Sequence, residues 1–155
     1  MSNCWICEEN LRQARGECLG AVAKLETGWV RLHRNQRYRG AAFFVAHDCV
    51  REFYQLSASL QRRHFEELSL VCTAMDRVFS PVKMNIESLG NGVAHLHWWL
   101  TPRHADDPRP TAPIWENLDF LHELWTETVT VNDYRLQLEC DALALAIREV
   151  REDRA

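Results

Sequence analysis

Leu89-Gly90-Asn91-Gly92-Val93-Ala94-His95-Leu96-His97-Trp98-Trp99-Leu100-Thr101-Pro102-Arg103 is the stretch from which the rest of the chain is best read. A branched and aromatic run bounded by a Gly-Asn-Gly turn and a proline predicts a strand, taken here as Ala94 to Thr101. Successive side chains on a strand project to opposite faces, so His95, His97 and Trp99 go one way and Leu96, Trp98 and Leu100 the other. Two imidazoles on one face stand roughly 6 to 7 Å apart. The preceding turn can present backbone N–H groups of Asn91 and Gly92 as a concave anion nest. Histidines beside such a nest point to phosphate chemistry. By itself a His-x-His pair is equally compatible with a structural pair or with two ligands of one metal.

Outward from that stretch, Lys83 to Ser88 predicts a partner strand joined across Leu89-Gly90-Asn91-Gly92. Upstream, Leu60, Leu68, Val71, Cys72, Met75 and Phe79 recur at helical spacing, predicting one long amphipathic helix over 59–79. Ser80-Pro81 ends it, because a residue before proline disfavours the helical region. Trp29 to Leu32 and Ala41 to Ala46 read as a hairpin-like pair of strands around Asn35-Gln36-Arg37-Tyr38-Arg39-Gly40. Residues 8–26, broken by Gly16 and Gly20, read as a short helix. Four prolines between Pro102 and Pro113 predict an irregular connection. Thr126 to Val131 reads as a short strand. Leu136, Cys140, Leu143, Ile147 and Val150 predict a final helix over 133–152. Strands, helix, then strands define an α+β fold with an antiparallel sheet of about five strands.

The 155 residues, 46% hydrophobic, suffice for one core and not two. A formal charge of −4 argues against a nucleic-acid backbone binder, which carries a basic stripe. Met1 to Glu9 has neither a basic nor an apolar leader pattern, and no apolar run reaches membrane-spanning length, so no membrane association and a cytoplasmic location are expected. In a reducing compartment the six cysteines are read as metal ligands or buried hydrophobes rather than disulfides. Cys72 and Cys140 fall in apolar helical stripes; Cys18 receives no role.

Cys4-Trp5-Ile6-Cys7, Gln36-Arg37-Tyr38-Arg39-Gly40, the Leu89 to Arg103 stretch, Asp106-Asp107-Pro108-Arg109 and Pro113-Ile114-Trp115 follow in one order with characteristic spacing. This series resembles the histidine-triad superfamily of nucleotide hydrolases and transferases, in its zinc-containing bacterial form, over about residues 1 to 116. Residues 117–155 would form an extension, packed on the same domain or on a dimer partner. The resemblance implies a HIT-like fold, a homodimer and a ligand that is a nucleotide or another phosphate-containing small molecule.

It also implies roles. His97 matches the family nucleophile, which attacks a nucleotide α-phosphate to give a nucleotidyl-imidazole. A neutral imidazole serves this if one ring nitrogen is held as N–H by a carbonyl and the other keeps its lone pair. Asn91, Gly92, Trp99, His33 and Asn85 are the substrate-binding candidates. The chain departs from the pattern at Trp99, which replaces the third triad histidine. An indole donates one N–H but exchanges no proton at neutral pH. Three outcomes stay open: Trp99 narrows the pocket, stacks on a planar ligand, or excludes nucleotide. The loss of a titratable group also leaves a repurposed, non-catalytic binding module as the alternative reading. Cys4, Cys7 and His95 match the family's zinc ligands, with Cys49 as the third and His47 as its competitor. Such a Cys3His site would be closed and structural.

Overall fold

The computed structural model describes residues 4–154; residues 1–3, part of the segment read for a leader, and 155 lie outside it. The elements are α1 (Trp5–Ala14), β1 (Ala21–Lys24), β2 (Gly28–Leu32), β3 (Ala42–Ala46), α2 (Ala58–Phe79), β4 (Lys83–Glu87), β5 (His97–Arg103), α3 (Leu118–Trp125) and α4 (Asp133–Asp153). The five strands form one antiparallel sheet in the order β1-β2-β3-β5-β4. This is the expected α+β architecture.

The helices begin and end where the local chemistry dictates. Ser57 Oγ accepts the Leu60 amide at 3.3 Å at the start of α2, and Ser80 takes a left-handed conformation (φ 47°) at its end. Asn117 and Asn132 cap α3 and α4 in the same way. One sheet face carries Val30, Leu32, Ala42, Phe44 and Leu100 into a core with Leu68, Val71 and Met75 of α2 and Leu136, Cys140, Leu143 and Ile147 of α4. The apolar stripes read from the sequence are those that meet here. Cys140 is buried, whereas Cys72 lies at the edge of the core. α1 and α3 lie toward the other face, where Tyr38, Ala41, Ile114 and Phe120 form a second cluster.

Four expectations about elements are corrected. Residues 8–26 are not one helix: α1 starts earlier, ends at Ala14, and gives way to edge strand β1. Gly20 marks the change, with φ 83° and a position where a Cβ would sit 2.5 Å from the Leu32 carbonyl oxygen. β5 starts at His97 rather than Ala94, because Leu96 donates to the Val50 carbonyl at 2.7 Å and its own carbonyl accepts from Ala46 at 3.0 Å. Those bonds hold the backbone before His97 off the β4 ladder. The strand then continues through Pro102 to Arg103, paired with Met84 and Lys83 of β4. Thr126 to Val131 forms no strand; Thr126 Oγ1 donates to the His122 carbonyl at 2.9 Å and Glu127 has φ 50°, which ends α3 in a turn.

A buried polar chain ties α2 to the sheet. Trp98 Nε1 donates to His64 Nε2 at 3.0 Å, His64 Nδ1 donates to Thr27 Oγ1 at 2.8 Å, and Thr27 Oγ1 donates to Glu67 at 2.5 Å. Each donor has one acceptor only if the imidazole is neutral. Burial depresses the His64 pKa to about 4. The unfolded chain therefore binds a proton near pH 6.5 that the folded chain refuses. The stabilisation is complete above that pH and is lost as pH falls toward 4, by on the order of 2–3 kcal/mol. Urea denaturation at pH 7 and pH 4.5 should show this loss in the wild type and a shallower one in His64→Gln.

Candidate functional site

Two neighbouring features occupy the α1 side of the sheet: a cluster of sulfurs around His95 and a cleft next to it. Cys4 is the N-cap of α1 and Cys7 lies in its first turn, the loop after β3 brings Cys49, and the segment before β5 brings His95. Their ligand atoms all lie within 4.8 Å of one another. His95 is fully buried, and its Nε2–H donates to the Ala46 carbonyl at 2.9 Å. That bond leaves Nδ1 as the lone-pair nitrogen, 3.4 Å from Cys4 Sγ and 3.6 Å from Cys7 Sγ. Burial and the neighbouring Cys49 and Cys4 sulfurs push the Cys7 thiol up to about 12. Thiols crowded about one point in this way suit a cation that displaces their protons. Three sulfurs and an oriented imidazole fit a tetrahedral metal ion. The competitor His47 is outside this cluster; its Nε2 donates to the Leu25 carbonyl at 3.0 Å and its ring meets Trp29 edge-on.

The cleft has a volume of about 510 Å³ and is walled by three parts of the chain. Trp5, Ile6 and Glu9 of α1 form one side, and Arg31, His33, Phe43, Val45, His97 and Trp99 form the sheet floor. Glu123, Leu124, Glu127, Thr128 and Val129, from α3 and the turn after it, contribute the far side. His97 sits at the start of β5 opposite Val45 of β3. Its Nδ1–H donates to the His95 carbonyl at 2.7 Å, which fixes Nε2 as the ring atom with a free lone pair. Two backbone carbonyls thus set the tautomers: that of Ala46 orients His95 toward the sulfurs, and that of His95 leaves His97 Nε2 for the cleft.

Trp99 lies on the same floor among aromatic rings. Its indole meets Phe43 edge-on at 4.4 Å between centroids, Trp115 at 5.4 Å and His33 at 5.5 Å. Trp115 is held in turn by its Nε1–H on the Glu87 carboxylate at 2.8 Å. Trp99 therefore frames the cleft and does not fill it. Burial lowers the pKa of His33, keeping that ring neutral at pH 7.

The structure brings His33, His97 and Trp99 together in the cleft and leaves the other three substrate-binding candidates outside its lining. Asn91 and Gly92 are exposed; their neighbour Val93 lines the cleft. Asn85 on β4 accepts from Arg103 Nη1 at 3.2 Å. Arg103 itself is buried and spent on Asp107 and on the Ala112 and Arg109 carbonyls, so it secures the 104–113 connection.

Sequence reasoning missed two contributors. Arg31 falls inside the Trp29 to Leu32 strand, where a charged residue between Val30 and Leu32 is the available signal. The second is the α3 wall, fastened by Glu123 to the β2–β3 turn. Its carboxylate accepts from Asn35 Nδ2 at 2.8 Å and from both Nε and Nη2 of Arg37. Gln36 N adds a bond to Thr130 Oγ1 at 2.5 Å. Only the approach of two segments nearly ninety residues apart reveals this clamp. Glu123→Gln should keep the Asn35 bond but lose the charge-assisted fork, costing roughly 1–2 kcal/mol locally. Hydrogen exchange should then accelerate in residues 120–130 by at least about fivefold while the α2 core stays protected.

A HIT domain model matches residues 21–106, and the chain belongs to the HIT family. Solved structures share the fold. A histidine triad protein from Bradyrhizobium japonicum is 22% identical over 82% of this chain and 89% of its own, with a TM-score of 0.68. One from Marinobacter aquaeolei is 23% identical over 88% and 89%, with a TM-score of 0.65. A hypothetical histidine triad nucleotide-binding protein from Sulfolobus tokodaii is 11% identical over 94% of both chains, with a TM-score of 0.68. Comparison with curated proteins found no match. Among the described residues no helix is long and apolar enough to cross a membrane.

Proposed function

We propose that the chain is a phosphohydrolase or nucleotidyl transferase acting on a nucleoside phosphate derivative, such as a dinucleoside polyphosphate or a phosphoramidate. The observation that carries this reading is the 2.7 Å bond from His97 Nδ1 to the His95 carbonyl, which leaves Nε2 with the free lone pair that nucleophilic attack requires. The Nε2 lone pair forms a bond to phosphorus as the bond to the leaving oxygen or nitrogen breaks, and the leaving group takes a proton from solvent. Water then attacks the same phosphorus, releasing the nucleotide and restoring His97. Trp99 supplies stacking surface and an indole N–H at the place where relatives carry a third histidine. His33, neutral and beside Trp99, extends that apolar wall.

Cys4, Cys7, Cys49 and His95 would hold zinc, whose chemistry in such a closed site is structural: it ties the N-terminus to the segment before β5. A cytoplasmic homodimer completes the reading. Family membership supports it, as does the separation of the metal cluster from His97.

The test is to quench the protein acidly after incubation with nucleoside phosphoramidates and dinucleoside polyphosphates and to seek a nucleotidyl adduct on His97 by mass spectrometry. An adduct together with released nucleotide supports the reading. Nucleotide binding with neither adduct nor product would favour the second reading, a binding module. That alternative draws on Trp99 itself, held among Phe43, Trp115 and His33, because an indole N–H exchanges no proton at neutral pH. Trp99→His separates the two further. If only leaving-group assistance is absent, turnover should rise on the order of 10²-fold.

A further inference from the structure

Arg31 is 7% exposed, yet among the described residues it has no carboxylate within ion-pairing distance. Its Nε–H donates to Gln13 Oε1 and one Nη2–H to Asn10 Oδ1, both neutral amides one turn apart on α1. Those amides are themselves anchored: Asn10 Nδ2 donates to the Ala46 carbonyl at 3.1 Å and Gln13 Nε2 to the Val30 carbonyl at 3.3 Å. The guanidinium is thus rigidly held by acceptors that orient it without neutralising it. Of its five N–H groups, three remain unspent among the described residues, and none belongs to an enclosed, unpartnered atom. Arg31 lines the cleft, so those donors face accessible space.

A buried charge held only by neutral dipoles is expensive, and proteins ordinarily pair it. Glu9 on the same wall acts on the guanidinium through space only, its Oε1 being on Arg12 at 2.7 Å and its Oε2 beside the Cys18 thiol at 3.8 Å. The geometry points to a ligand anion as the missing partner. We propose that Arg31 is a specificity-determining residue that receives a second acidic group, a carboxylate or a phosphate, at the end of the ligand remote from His97.

The sheet register sets how far apart the two ends are. Phe43 pairs with both Arg31 and Trp99, and Val45 pairs with His97, so Arg31 and His97 share a face two strands apart and offset by two residues. At about 4.8 Å per strand and 3.3 Å per residue, the separation is on the order of 10–12 Å. Between them the floor is Phe43 and Val45, apolar and partly aromatic. The ligand class is therefore a phosphate ester or amide with a flat apolar middle and an acid at its far end. This rests on the proposed function for the phosphate end only.

Rigid aryl ligands of matching length test it by titration calorimetry. The probes are biphenyl phosphate, 4′-carboxybiphenyl phosphate, biphenyl-4,4′-bisphosphate, biphenyl-4-carboxylate and AMP. The acid-ended phosphates should bind wild type at least about tenfold more tightly than biphenyl phosphate, as one charge-assisted fork implies. Arg31→Met should erase that increment, so that the acid-ended and plain phosphates bind the variant alike. Arg31→Lys keeps the charge, guards against misfolding, and should retain part of the increment. The carboxylate and bisphosphate arms show which acid is preferred. Equal affinity of the acid-ended and plain phosphates in wild type overturns the Arg31 proposal and leaves the phosphate reading intact. The converse, biphenyl-4-carboxylate binding through Arg31 while AMP and biphenyl phosphate do not bind, would overturn the phosphate reading alone. Loss of AMP affinity in Arg31→Met equal to that of the acid-ended probes would also overturn the proposal, since it marks a purely structural arginine.

Discussion

His97→Ala is expected to lower nucleotidyl transfer by 10³-fold or more while leaving the metal content and the melting temperature of the protein unchanged. The magnitude follows from removing the atom proposed to bond to phosphorus, a loss that binding residues do not restore. The invariance of metal content follows from the division of labour between two histidines two residues apart. His95 Nδ1 faces the Cys4 and Cys7 sulfurs, whereas His97 uses its Nδ1–H on the His95 carbonyl and is outside the sulfur cluster. Metal analysis of purified wild type and variant distinguishes this arrangement from one in which both imidazoles bind a single catalytic metal. Under that rival, His97→Ala would lose the metal along with the activity. Adduct formation followed by mass spectrometry gives the first half of the result, and a thermal scan the second.

The other large effect is on stability. Cys49→Ala should abolish stoichiometric zinc binding and lower the melting temperature by about 10 °C, which for a chain of this size corresponds to roughly 3 kcal/mol. Chelation of the wild type should give the same shift, reversible on adding zinc. The effect is large because the four ligands come from three segments far apart in sequence, so one ion closes loops of more than forty residues each. Its consequences reach the cleft, since α1, capped by Cys4, carries Cys7 as well as Ile6, Asn10 and Gln13. Loosening α1 should therefore weaken ligand binding even though no ligand touches Cys49. Acidification should mimic chelation, because protons compete with the metal for thiolates: zinc affinity rises with pH through neutrality and falls below it.

Much of the chain was legible because its signals are local. The α2 stripe from Leu60 to Phe79, the strands around Trp29 and Phe44, and the α4 stripe from Leu136 to Val150 each repeat with the period of the element they form. Ser80-Pro81 ends α2 through backbone sterics alone. The HIT-type series of motifs was readable for the same reason: Cys4 and Cys7, or His95 and His97, are spaced by a few residues whose geometry a helix turn or an extended segment sets. Cys49 was placed through the family pattern, and the observed cluster contains it and not His47.

What escaped was decided by partners distant in the chain. β1 is a strand because Ala21 to Lys24 finds the free edge of β2, although its own residues carry no alternation strong enough to announce it. Thr126 to Val131 has strand-like residues and finds no edge to pair with, so hydroxyl and turn bonds win. β5 begins at His97 because Val50 and Ala46 capture the backbone of Leu96 first. The amino-acid sequence alone determined the two long helices, the strands around Trp29, Phe44 and Trp98, which of their faces are apolar and which two histidines adjoin, since those depend on covalent spacing and side-chain type. Only the tertiary structure decided that Arg31, on the cleft floor, meets amides and no carboxylate among the described residues, that Glu123 fastens the far wall, and that Trp99 frames the cleft, because each depends on segments that meet across the sheet.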